Sequence, residues 1–211
     1  MRALTYHGSN DDGRGDFRVE DVPDPSVGPG MVRLDVEWCG ICGSDLHEFE
    51  AHTVSGYAPP IIIGHEFAGT VAEVGEGVEA VSVGAGASVE PFLRCNACEA
   101  CLADQYHLCP SLTVVGAQAT DGGFAQRAIV PAYAVHVLPA SVPTDVGALV
   151  EPLAVGWHAL RKGHFSAGQS VLVIGAGPIG LTSLLCAQAM EASLVAVSVR
   201  RAGARAEAAS D

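Results

Sequence analysis

The chain has 211 residues, and its 24 acidic residues outnumber its 11 basic ones, for a formal net charge of −13 at pH 7. Only one of the basic residues, Lys162, is a lysine. So acidic a chain cannot cover the phosphates of a nucleic acid or an anionic membrane surface, and we exclude both as partners. The acidity bears on solubility more than on function, and is compatible with a saline habitat or a GC-rich genome.

The sequence carries neither a secretory signal pattern nor an apolar run of the ~18 residues that a membrane helix needs. Seven cysteines, an odd number, fit poorly with a closed set of disulfides. Clustered cysteines in a cytosolic protein more often bind metal. We therefore expect a soluble, cytoplasmic protein.

The first ~140 residues consist of short apolar segments separated by glycine and proline turns. This pattern is typical of an all-β unit. The predicted strands are Met1–His7, Met31–Trp38, Phe67–Val74, Ala87–Phe92, Phe124–Val130 and Ala134–Leu138. The sequence pattern changes after Pro143, where Thr144–Lys162 has apolar residues at helical spacing and is predicted to be helical. We place the boundary between the β domain and a following α/β domain near residues 144–166.

The region after this predicted helix follows the order strand, turn, helix, strand. Ser170–Ile174 and Leu194–Val199 are apolar runs, and Leu181–Met190 between them has helical character. This order predicts a βαβ unit with two parallel strands.

Four cysteines fall within one irregular segment in the pattern C-x2-C-x2-C-x7-C. They are Cys95, Cys98, Cys101 and Cys109. Four thiolates this close can enclose one tetrahedral Zn²⁺ with no open position, so we predict a structural zinc site. Two disulfides and an iron–sulfur cluster are the alternatives.

A second group of possible metal ligands comes from two separate segments. Cys42 lies in CGICGSDLH, just after a predicted strand, and His65 and Glu66 lie in GHE, just before another. A cysteine, a histidine and a carboxylate can form an open zinc site. The alternatives are a histidine that merely packs, and a redox pair of Cys39 and Cys42. Ser44 and His47, three residues apart, are suited to carrying a proton away from an alcohol bound there.

The segment GAGPIG fits the G-x-G-x-x-G pattern of a dinucleotide-binding turn. It lies between a predicted strand and a predicted helix, which is the context that makes the pattern informative. Gly175 permits the tight turn, Gly177 lets the backbone approach a pyrophosphate, and Gly180 allows close packing of helix and strand. Pro178 and Ile179 complete the predicted cofactor contacts.

These motifs together resemble the zinc-containing medium-chain alcohol dehydrogenases over the whole chain. The motifs that carry the resemblance are CGICGSDLH, GHEFAGTVAEVGEGV, the four-cysteine segment, DGGFA, ALVEPLAVGWHAL and GAGPIG. Within that family the sequence looks most like the polyol branch, with 2,3-butanediol dehydrogenases nearest and sorbitol and threonine dehydrogenases close. The resemblance implies a zinc-dependent, NAD(P)-linked oxidoreductase that interconverts a secondary alcohol or vicinal diol and its ketone.

The resemblance also implies a fold and a set of roles. Residues 1–150 would form an all-β GroES-like domain with a structural zinc lobe at 93–110. Residues 151–211 would form a linker helix and the first βαβ unit of an incomplete α/β Rossmann domain that ends after its second strand. Catalytic zinc would be held by Cys42, His65 and Glu66, with Glu151 as a nearby carboxylate ligand or partner. Ser44 and His47 would form the proton relay.

The position that usually carries an acidic residue for the ribose of NAD is Val199 here, followed by Arg200 and Arg201. Two guanidinium groups suit a 2′-phosphate, so the sequence favours NADP over NAD, unless both arginines are merely solvated. A Rossmann domain has about six strands and two are predicted here. The sequence is therefore expected to be either a fragment of an active enzyme, which would be a homodimer or homotetramer, or an inactive zinc-binding remnant. Tyr57 and Trp157 could line a substrate pocket, although aromatic residues more often pack in a core.

Overall fold

A computed structural model of the protein describes residues 1–50, 57–118 and 120–199. The chain divides into two compact units, Met1–Leu149 and Val150–Asp211. Among the described residues, no helix is both long enough and apolar enough to cross a membrane.

The first unit is built from short antiparallel strands. These are β1 (Arg2–Ser9), β2 (Gly15–Asp21), β3 (Met31–Gly40), β4 (Ile61–Ile62), β5 (Glu66–Val74), β6 (Gly86–Val89), β7 (Phe92–Leu93), β8 (Thr113–Val114), β9 (Arg127–Pro131) and β10 (Val135–Val137). Five of them form a sheet in the order β10-β6-β5-β3-β9, three form a sheet in the order β2-β1-β4, and β7 pairs with β8. The predicted β-rich first domain is confirmed.

The core of the first unit follows from the alternation of side chains along β3 and β5. Val32 and Leu34 are completely buried, whereas Arg33 between them points outward and pairs with Glu73 on β5 at 2.8 Å. Phe67 and Val71 on β5 are buried in the same cluster. Each of these large apolar side chains contributes roughly 1.5–3 kcal/mol through removal from water.

Three short helices accompany the sheets of the first unit: α1 (Gly43–Phe49), α2 (Glu99–Leu102) and α3 (Thr144–Gly147). The second unit begins with α4 (Val150–Lys162). The helical character predicted for Thr144–Lys162 is found, but in two helices, because the chain breaks after α3. A continuous helix would leave the carbonyl of Ala148 facing the ring of Pro152, which has no N–H to donate. The break places Pro152 in the first turn of α4, where proline is tolerated.

The second unit contains β11 (Ser170–Ile174), α5 (Pro178–Ala189) and β12 (Leu194–Ser198). The two strands pair in parallel, so the predicted βαβ unit is confirmed. Helix α5 begins at Pro178 and not at Leu181, because proline is well suited to the first helical position. Gly156 of α4 allows close packing on α5, since a Cβ there would lie 2.9 Å from the backbone nitrogen of Ser183.

Some strand boundaries differ from the sequence-based expectation. The predicted strand Ala87–Phe92 is interrupted between β6 and β7 at Pro91, which cannot donate a ladder hydrogen bond. The predicted strand Phe124–Val130 begins only at Arg127. The elements without a predicted counterpart are β2, β4, β8, α1 and α2.

Candidate active site

Cys42 is held just before α1 by a hydrogen bond to the side chain of Asp45. It occupies the position just before the helix, with φ −76° and ψ 156°. Its backbone N–H donates to Oδ2 of Asp45 at 2.9 Å, which satisfies one of the amides that a helix start leaves unpaired. The thiol of Cys42 is thereby fixed close to the end of β3.

His65 and Glu66 reach the same place through strand pairing. Glu66 begins β5 and lies opposite Gly40, the last residue of β3. Gly40 makes room for it, since a Cβ there would lie 2.3 Å from Oε2 of Glu66. The pairing of β3 with β5 therefore brings residues together that are far apart in the sequence.

Cys42, His65 and Glu66 form a group that could hold a metal ion. Their thiol sulfur, one imidazole nitrogen and one carboxylate oxygen all lie within 4.8 Å of one another. The pKa of Cys42 lies below its ordinary value because of hydrogen bonding with His65 and Ser44, which favours the metal-binding thiolate. This donor set fits zinc and leaves a fourth position open, so it can accommodate a substrate oxygen.

Asp45 is a functional candidate that the sequence analysis missed. Its side chain is 4% exposed, and its Oδ1 lies 3.9 Å from Nδ1 of His65, which is itself 12% exposed. Burial raises the pKa of Asp45, and its hydrogen bond from the Cys42 amide opposes that rise. A carboxylate beside a ligating histidine orients the ring and makes it a stronger ligand. The available signal was an acidic residue three positions after Cys42, the spacing of a helix cap.

Ser44 and His47 lie three residues apart on α1, so they share one side of the helix. Ser44 hydrogen-bonds with the thiol of Cys42 and with the hydroxyl of Tyr57, whereas His47 is exposed. Ser44 thus contacts the group around Cys42 and His47 reaches solvent, and a proton relay through the pair stays a prediction.

Tyr57 and Glu48 take part in a buried polar cluster beside this group. Glu48 is 3% exposed and accepts a hydrogen bond from the hydroxyl of Tyr6 at 2.5 Å. The ring of Tyr57 packs edge-on against Tyr6, with ring centroids 5.9 Å apart. Burial and the nearby Asp45 raise the pKa of Tyr57 to about 12, so it stays a neutral hydrogen-bonding group.

The four-cysteine lobe, residues 93–110, brings all four thiols together. Their sulfur atoms lie within 4.8 Å of one another, with Cys95 to Cys109 at 3.6 Å and Cys95 to Cys101 at 3.9 Å. Zn–S bonds of ~2.3 Å in a tetrahedron separate the sulfur atoms by about 3.8 Å, so the arrangement fits zinc. Amide hydrogen bonds from Ala97 and Cys98 lower the pKa of Cys95 to about 6, which favours its thiolate.

Arg94 ties this lobe to the five-stranded sheet. Its guanidinium carbon lies 4.0 Å from the ring centre of Tyr106 in the lobe and 4.7 Å from that of Tyr133, next to β10. Its backbone N–H also donates to the Tyr133 hydroxyl at 3.2 Å. Stacking of this kind contributes about 0.5–2 kcal/mol, and Arg94 directly precedes the first cysteine.

The glycine turn of the second unit has the geometry of a dinucleotide-binding turn. Gly175 adopts φ +105°, and a Cβ on Gly180 would lie 1.9 Å from the carbonyl oxygen of Gly175. Around Gly177, which precedes α5, a Cβ would meet no described atom within 4 Å, so a pyrophosphate has access to the backbone and the helix start.

The remaining predicted residues of the second unit are placed as follows. Glu151 lies in the first turn of α4, and its role stays a prediction. Trp157 is 44% exposed, so it is not part of the core of its unit. Val199 follows β12, and Arg200 and Arg201 lie outside the described residues.

A sequence profile of the alcohol dehydrogenase GroES-like domain matches residues 28–140. The chain belongs to the zinc-containing medium-chain alcohol dehydrogenase family. Two relatives illustrate the range of its members. The (R,R)-butanediol dehydrogenase of Neisseria gonorrhoeae is 41% identical over 179 residues, covering 80% of this chain and 51% of the relative. The L-threonine 3-dehydrogenase of Pyrococcus abyssi is 45% identical over 180 residues, covering 84% of this chain and 51% of the relative.

Solved structures of this dehydrogenase family share the fold. The crystal structure of 2R,3R-butanediol dehydrogenase from Bacillus subtilis superposes with a TM-score of 0.89 at 32% identity, covering 99% of this chain and 60% of that one. The chain spans about half the length of the curated relatives it matches.

We expect Asp45→Asn to weaken metal binding at Cys42, His65 and Glu66 by roughly 10-fold, because outer-shell partners of ligating histidines typically contribute 10–100-fold in affinity. Competition between the protein and a colorimetric chelator measures this. Glu48→Gln is the matched control, since Glu48 is equally buried on α1 but hydrogen-bonds with Tyr6. Equal metal affinity of Asp45→Asn and the wild type would contradict the assigned role.

Proposed function

We propose that this chain is the substrate-activating part of a zinc-dependent, NAD(P)-linked oxidoreductase that interconverts a secondary alcohol or vicinal diol and its ketone. The observation that carries the proposal is the meeting of Cys42, His65 and Glu66 within 4.8 Å, next to a hydroxyl and an exposed imidazole on α1. A thiolate, an imidazole and a carboxylate form an open zinc site, which suits alcohol chemistry.

Each residue has a defined task in this proposal. Cys42, His65 and Glu66 hold the catalytic zinc, which when bound acts as a Lewis acid on a substrate oxygen. Asp45 orients His65. Ser44 accepts the hydroxyl proton of the substrate while passing its own proton to His47, and the exposed imidazole of His47 releases a proton to water.

The remaining assignments extend from this site. Glu151 is an additional carboxylate ligand or partner of the catalytic zinc, and the four-cysteine lobe holds a second, structural zinc. The G-x-G-x-x-G turn receives the pyrophosphate of the nicotinamide cofactor, which accepts hydride from the substrate. The proposed enzyme works in the cytoplasm as a homodimer or homotetramer.

Butane-2,3-diol and acetoin are the substrate pair that we favour. The butanediol dehydrogenases among the matched proteins support this choice, at 41% identity for the Neisseria enzyme. Sorbitol or another polyol, and L-threonine, are the alternatives within the same reaction type, and the Pyrococcus threonine dehydrogenase keeps the latter open.

We propose NADP as the preferred cofactor. Neither position 199, which is Val199, nor the two positions after it carries an acidic residue. Arg200 and Arg201 instead offer guanidinium groups to a 2′-phosphate. Replacing both arginines with serine is expected to lower kcat/KM for NADP by roughly 10-fold or more and to leave that for NAD within about twofold. A wild-type enzyme with a strong preference for NAD would contradict this assignment.

The deciding experiment combines metal analysis with turnover, on the full-length gene product. We expect about two zinc ions per chain and NAD(P)-dependent oxidation of butane-2,3-diol. A higher kcat/KM for sorbitol or L-threonine would replace the substrate but keep the reaction type. A protein with zinc in the four-cysteine lobe alone and no turnover would be the inactive remnant, and would refute the proposed enzyme.

A further inference from the structure

The segment Asp121–Ala125, the DGGFA motif, takes no direct part in the chemistry proposed above. It nevertheless runs alongside residues 62–64, directly before His65. The backbone N–H of Gly122 donates to the carbonyl of Ile62 at 2.7 Å, and that of Phe124 donates to the carbonyl of Ile63 at 2.9 Å. The two segments are therefore joined by a ladder of backbone hydrogen bonds.

The carbonyl of Gly64 is the point where this ladder reaches the metal-ligand group. It accepts a hydrogen bond from the N–H of Gly123 at 2.8 Å. This carbonyl and the backbone nitrogen of His65 belong to the same planar peptide unit. The orientation of the carbonyl therefore fixes the direction in which the His65 backbone leaves this unit. Any rotation of this carbonyl would displace the imidazole.

The packing at this point tolerates no added atoms. A Cβ on Gly122 would lie 2.2 Å from the carbonyl oxygen of Gly64 and 2.8 Å from that of Ile63. Both contacts are with backbone, which cannot move aside as a flexible side chain can. The motif therefore needs glycine here in order to approach the strand-like segment so closely.

The side chain of Asp121 adds a hydrogen bond at the Ile62 end of the ladder. Its Oδ1 accepts a hydrogen bond from the backbone N–H of Ile62 at 2.9 Å. Asp121 is exposed, so its replacement neither opens a cavity nor leaves a buried charge. The bond from Ile62 to Asp121 is the one side-chain hydrogen bond between these two segments that the described residues show.

We propose that Asp121–Ala125 is the positioning element of the metal site, in which Asp121 and Gly122 fix the backbone that presents His65 and Glu66. The proposal rests on the proposed metal binding by Cys42, His65 and Glu66. Asp121 is a positioning residue that acts through Ile62 and Gly64, and it lies outside the group of potential metal ligands.

The test compares Asp121→Ala with Asp121→Asn, using Co²⁺ as the probe in the full-length gene product. Asparagine keeps an oxygen that can accept the Ile62 N–H, whereas alanine does not. We expect Asp121→Ala to weaken Co²⁺ binding at the mixed-ligand site by roughly 10-fold, and Asp121→Asn to stay within about twofold of the wild type. The four-thiolate site has its own charge-transfer spectrum and serves as the internal reference, with unchanged affinity.

A second pair of variants tests the packing at the ladder. Gly122→Ala is expected to weaken the mixed-ligand site at least as much as Asp121→Ala. Gly28→Ala is the control, because the nearest atom to its added Cβ would be Cγ of Met31 at 3.9 Å. Asp121→Ala decides the matter if Gly122→Ala does not fold.

Three outcomes would overturn the proposal: wild-type affinity of Asp121→Ala, equal weakening in Asp121→Ala and Asp121→Asn, or equal weakening of both metal sites, which indicates general destabilisation. Failure of the proposed function has a different signature. In that case the wild type itself binds Co²⁺ only with the four-thiolate spectrum, and both proposals fall.

Discussion

Replacing Cys42 with serine in the full-length gene product is expected to lower kcat/KM for the alcohol by roughly 10³-fold, because Lewis-acid stabilisation by a bound metal contributes several kcal/mol. The thiolate is the softest of the three donors and is expected to favour zinc at this site. Zinc content is expected to fall by about one ion per chain. Steady-state kinetics and metal analysis by mass spectrometry measure the two effects on the same preparation.

The matched control for this change is Cys186→Ser. Cys186 is 5% exposed and its thiol donates to the backbone carbonyl of Leu153, an interaction that a hydroxyl can replace. It belongs to neither group of potential metal ligands. If Cys42→Ser kept both its zinc and its activity, the proposed catalytic site would be wrong.

Replacing Cys98 with serine is expected to remove the metal of the four-cysteine lobe and to lower the free energy of unfolding by roughly 3 kcal/mol or more. The lobe has almost no apolar core of its own: Leu102 is 77% exposed and Leu108 is 61% exposed. Of the residues from Cys95 to Cys109, only Cys109 is buried. We therefore expect a bound ion to replace the missing core.

Chemical denaturation of the zinc-loaded protein and a metal count measure this second effect, again with Cys186→Ser as the control. We expect the Cys98→Ser variant to keep the mixed-ligand metal, because Cys42, His65 and Glu66 come from other segments. An unchanged unfolding midpoint in a variant that has lost its lobe metal would show that the metal has no structural role.

The features that sequence predicted best are those set by neighbouring residues. Ser170–Ile174 was predicted with the bounds that β11 has, because a continuous apolar run ends there at a glycine turn. The four cysteines of the lobe were also predictable, because they lie close together in the sequence. Strand β2 was missed although Phe17 and Val19 alternate with charged residues, and the break between α3 and α4 was missed although Pro152 implied it.

What the sequence could not supply depends on contacts between distant segments. Cys42, His65 and Glu66 were selected by residue type and family resemblance, but their meeting depends on the pairing of β3 with β5. The closeness of Asp45 to His65 depends on the same pairing. The attachment of residues 121–124 to residues 62–64 joins segments even further apart, and only the structure reveals it.

The two metal-binding groups also differ in when they can exist on a growing chain. The four thiols from Cys95 to Cys109 need only local turns, so the loss of chain entropy on bringing them together is small. The mixed-ligand group needs the β3–β5 pairing and, with it, the ladder from Asp121 to Phe124. Since domains fold progressively during synthesis, the lobe can capture an ion before residue 121 has been added, whereas the proposed catalytic group is complete only afterwards.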